Sequence, residues 1–138
     1  MTNLNPTSGN NPGLPKVTSA AQEKAHPVLS LPFVRDTTRA ERQAGLPPRL
    51  FWSVCPTGSY TADCNTGSHF AQQALDYMMK YRAPCLMQTV VFDMMRPDSA
   101  IRAGSAKAGI EVGFLSFFGN QAMVAGLLMA ELRKSLAP

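Results

Sequence analysis

Apolar positions three and four residues apart run through the second half of this chain and predict three helices. In SHFAQQALDYMMKYR, residues 68–82, Phe70, Ala74, Tyr77, Met78 and Tyr81 recur at helical spacing, while Gln72, Asp76 and Lys80 line a polar stripe. Ala83 and Pro84 mark a break, and Pro84 can occupy the first turn of the next helix, where its missing N–H has no partner to lose. In CLMQTVVFDMMR the pairs Leu86–Met87, Val90–Val91 and Met94–Met95 return every four residues, which favours a helix despite the branched valines. Arg96 and Pro97 end it. The third helix is the longest, GIEVGFLSFFGNQAMVAGLLMAELRKSL from Gly109. Leu115, Phe118, Ala122, Ala125, Met129 and Leu132 alternate by three and four along it, with a second apolar row at Phe114, Phe117, Val124 and Leu128. Such a wide apolar arc belongs to a central packing element or to a membrane element. Between these segments, Asp98 and Ser99 can cap a weak small-residue helix over 101–109.

The first half is patterned differently. The stretch Met1–Lys24 is rich in Asn, Gly, Pro, Ser and Thr and is expected to be a disordered tail over residues 1–25. HPVLSLPFVR then places Val28, Leu29, Leu31, Phe33 and Val34 between prolines that forbid a continuous helix, so it should dock in extended form. Thr38 followed by Glu41 is a capping-box pattern, and Gly45 with Pro47 and Pro48 closes the short helix it opens. RLFWSVC, residues 49–55, reads as a strand that needs a partner in 28–34 or 110–118.

These elements make a mainly α fold: a small helical bundle of three to five helices in a single globular domain over 26–138, with an extended N-terminal segment and room for one short strand pair. If GIEVGFLSFFG, where Ile110, Val112 and Phe114 alternate, is a strand instead, the fold becomes α+β with a helix from Asn120.

Charge changes the picture little. The net +4 is unevenly spread: from Arg35 to Arg49, Arg35, Arg39, Arg42 and Arg49 face only Asp36 and Glu41. From Leu50 onward seven basic residues meet six acidic ones, so the body lacks the basic face of a nucleic-acid binder. Weak nucleic-acid binding through the four arginines is the most that composition supports. The polar N-terminus lacks the apolar run of a secretory signal, so a cytoplasmic location and free thiols are expected.

The chemistry-bearing residues concentrate in CPTGSYTADCNTGSHF, residues 55–70. Cys55, Cys64 and His69, with Cys85 beyond, are metal-ligand types, but eight residues separate the first two cysteines, whereas zinc knuckles bring paired ligands two to four apart. Cys64 before a helix start, with His69 as base, is the alternative thiol reading. Turn formers at Pro56–Gly58 and Asn65–Gly67, with Thr66 or Ser68 as cap, account for the stretch as a connection entering the helix, with no cofactor and no catalytic residue required. GSAKAG, residues 104–109, lacks the spacing of a phosphate loop.

Nineteen uncharged residues separate Glu111 from Glu131, long enough to span a bilayer over 112–130, but Asn120 and Gln121 fall at the midpoint, where amides are disfavoured. The expectation is therefore a helical interaction module or oligomeric subunit without enzymatic activity. Its contact surface is drawn from Leu115, Phe118 and Met129 on the last helix and Met78, Met79, Met94 and Met95 on the two before it. A protein partner or a second copy is the expected occupant.

Overall fold

The computed structural model describes residues 26–97 and 108–136. The tail over 1–25, the Asp98–Ser99 cap and most of the weak helix expected at 101–109 lie outside them. The fold is mainly α with one short antiparallel strand pair.

The chain enters through a 3-10 turn at Pro27–Ser30, where Pro27 needs no donor and the His26 ring accepts the Val28 N–H at 3.3 Å. The turn and the residues after it bury Val28, Leu31, Phe33 and Val34, the apolar set that the proline-bracketed segment carries. Strand β1, Arg35–Asp36, pairs with β2, Arg49–Leu50, in the register Arg35 to Leu50 and Asp36 to Arg49. Between them lies α1, Arg39–Gln43, closed at its start by a full capping box. The Glu41 N–H donates to Thr38 Oγ1 at 3.3 Å, and the Thr38 N–H donates to Glu41 Oε2 at 2.7 Å. Gly45, with φ +91°, ends it in the left-handed region that favours glycine.

The strand expected over 49–55 is only two residues long and pairs with 35–36, not with 28–34 or 110–118. The reason is that Phe51 and Trp52 turn inward, and the Phe51 N–H goes to the Asp93 carboxylate, 42 positions away, in place of a strand neighbour. One further backbone link, Ser53 N–H to Phe33 carbonyl at 2.8 Å, carries the association onward.

Helix α2 spans Tyr60–Tyr81, α3 Cys85–Met94 and α4 Gly109–Leu136. The segment 109–119 is helix throughout, so the α+β alternative does not hold. α2 begins eight residues before the expected Ser68, and Asn65–Thr66–Gly67 is helical where a turn was expected. Two interactions hold these poor helix formers. Asp63 in the first turn reaches back to Thr57, accepting its N–H and its hydroxyl at 2.8 Å each. Gly67 then allows the backbone of α4 to cross at close range: a Cβ there would overlap the Ile110 carbonyl oxygen, and one on Gly113 would overlap the Cys64 carbonyl. The Ser68 hydroxyl donates to the Gly113 carbonyl at 3.2 Å across the same crossing.

The core sits at this crossing. Phe33 is fully buried, with ring centroids 5.5 Å from Trp52, 5.5 Å from Phe70 and 6.0 Å from Phe114. Leu86, Val90 and Met94 bring one face of α3 into the same cluster. Trp52 also donates its indole N–H to Glu111 Oε1 at 3.2 Å, joining the 49–57 segment to the first turn of α4.

Candidate interaction surface

The four arginines expected to form a basic patch are largely committed inside the chain. Arg35 grips Glu41 with both terminal nitrogens, at 2.6 and 2.9 Å, and donates its Nε to Ser53 Oγ at 2.8 Å. Arg42 donates to the Thr37 carbonyl at 2.6 Å, and Arg49 donates to Asp36 at 2.6 Å. The fork from Arg35 and the N–H of Thr38 hold Glu41 down at about 2, and the bond from Arg49 lowers the pKa of Asp36. Arg39 stands exposed on α1. Sequence periodicity placed Arg39 and Arg42 on one helix; it did not anticipate that the strand pair brings Asp36 to Arg49, or that the start of α1 brings Glu41 to Arg35 and the Thr37 carbonyl to Arg42.

The thiol set is not gathered. Cys55 and Cys85 are exposed and Cys64 is half-buried on α2. Cys64 instead hydrogen-bonds Tyr60 one turn earlier, which pushes the phenol pKa up. The exposed His69 meets Gln73 at 3.1 Å, one turn further on. Among the described residues no three of His, Cys, Asp and Glu come together as a metal site. Two carboxyls, Asp63 and Glu111, are buried, although Asp63 reads in the sequence as a surface or cap residue. Each binds its donors through one oxygen and keeps the other buried and unpartnered. The Thr57 N–H lowers the pKa of Asp63.

The apolar candidates divide by position on their helices. Met94 is 1 % exposed, in line with Leu86 and Val90 on the inward face of α3, so it belongs to the core and leaves the contact surface. Met78 and Phe118 are half-buried against that core. Met79, Met95, Leu115 and Met129 are exposed. Phe92, which the Met pairs masked in the sequence, is 69 % exposed. The i, i+4 line of Leu86, Val90 and Met94 could have revealed it, because that line directs Gln88 and Phe92 outward. Met87, Gln88, Val91, Phe92 and Met95 rim a shallow, almost wholly apolar depression of about 400 Å³.

The larger surface is the far half of α4. Up to Phe114 the helix is buried at the α2 crossing, but from Gly119 to Leu136 every residue is exposed. Met123, Val124, Leu127, Leu128, Met129, Leu132 and Leu136 all stand in this free half. No family model, curated protein or solved structure matches this chain.

Proposed function

We propose that this protein is a non-enzymatic helical interaction module, one that contributes the free half of α4 to an assembly. The observation that supports it is that a run of large apolar side chains, Met123 to Leu136, leaves the body on a continuous helix and, among the described residues, stands outside the core cluster. Apolar surface of this extent on a soluble domain marks a place that something else covers. The exposed Phe92 and Met95 on α3 are a second, smaller surface of the same kind.

A bilayer is the second reading, since α4 is long and apolar enough to cross one. Docking of its first turns weighs against a full span. From Gly119, where the helix leaves the body, to Ala130, before the first charge, the free uncharged stretch is about 18 Å long. The hydrocarbon core is about 30 Å thick.

Hydrogen exchange on the full chain tests the interaction reading. In dilute protein the amides of 119–136 should exchange far faster than those of Ala71–Ala74 or Val90, because every residue of that stretch is exposed among the described residues. Protection of 119–136 in a proven monomer would mean that the helix folds back on its own body, and the reading would be abandoned.

A further inference from the structure

We draw no further inference here: the strongest candidate, the exposed apolar half of α4 from Gly119 to Leu136, carries large side chains on opposite sides of the helix, and nothing in the structure shows what covers it.

Discussion

Two kinds of glycine occur on the long helices, and substitution separates them. Gly67 and Gly113 lie where α2 and α4 cross backbone to backbone, so a methyl group there meets a carbonyl that cannot rotate away. Gly67→Ala and Gly113→Ala should each cost at least the roughly 1–3 kcal/mol of an overpacked core, measured by urea denaturation. Gly119 has nothing within 4 Å of a Cβ, so Gly119→Ala should stabilise the helix by about 0.5–1 kcal/mol or leave global unfolding unchanged. Equal effects at Gly67 and Gly119 would refute the close crossing. The carboxyls set a pH dependence at the same scale. Glu41 falls from its ordinary 4.5 to about 2 because Arg35 and Thr38 favour its charged form. A depressed acid contributes stability fully above its unfolded value and loses it as pH falls toward the folded one. The thermal midpoint should therefore drop between about pH 4.5 and 2, and Glu41→Gln should lower it at pH 7 while flattening that drop.

At the scale of elements, the loop 49–57 acts as a strap fastened at three points: Phe51 N–H to Asp93, Trp52 to Glu111 and Thr57 to Asp63. Trp52→Phe keeps an aromatic ring in the cluster but leaves Glu111 without its donor. It should cost about 1–3 kcal/mol, read by circular dichroism in denaturant, as expected for a buried acceptor left unpaired. Phe33 is the common neighbour of three rings from three segments, so Phe33→Ala should cost about 3–5 kcal/mol in the same measurement. The two halves of α4 should behave as different materials. Among the described residues 119–136 contributes nothing to the core cluster, so removing it should change the unfolding free energy of the body by no more than about 0.5 kcal/mol, read by urea denaturation.

For the whole molecule, the helices were readable because their apolar residues repeat with the helical period. The start of α2 was not, because Asn65, Thr66 and Gly67 favour turns locally and become helical only when α4 packs across them. The strand was overread for the opposite reason: Phe51 and Trp52 have strong strand propensity, yet the core claims their side chains and Asp93 claims a backbone donor. The arginine cluster was visible as charge, but its use was not, since Asp36 reaches Arg49 through the strand pair, and Glu41 and the Thr37 carbonyl reach Arg35 and Arg42 through the fold of the chain around the start of α1.

By itself the sequence determined the mainly α class, the capping box at Thr38 and Glu41, the apolar arc of the last helix and its length. Each of these depends on neighbours a few positions apart, and local spacing records them. Only the tertiary structure decided which part of each arc is covered. Phe118 carries the same three-four spacing as Met129 and Leu132, but the body reaches α4 only as far as Phe118. Burial depends on where another element ends, and periodicity along one helix carries no information about that boundary.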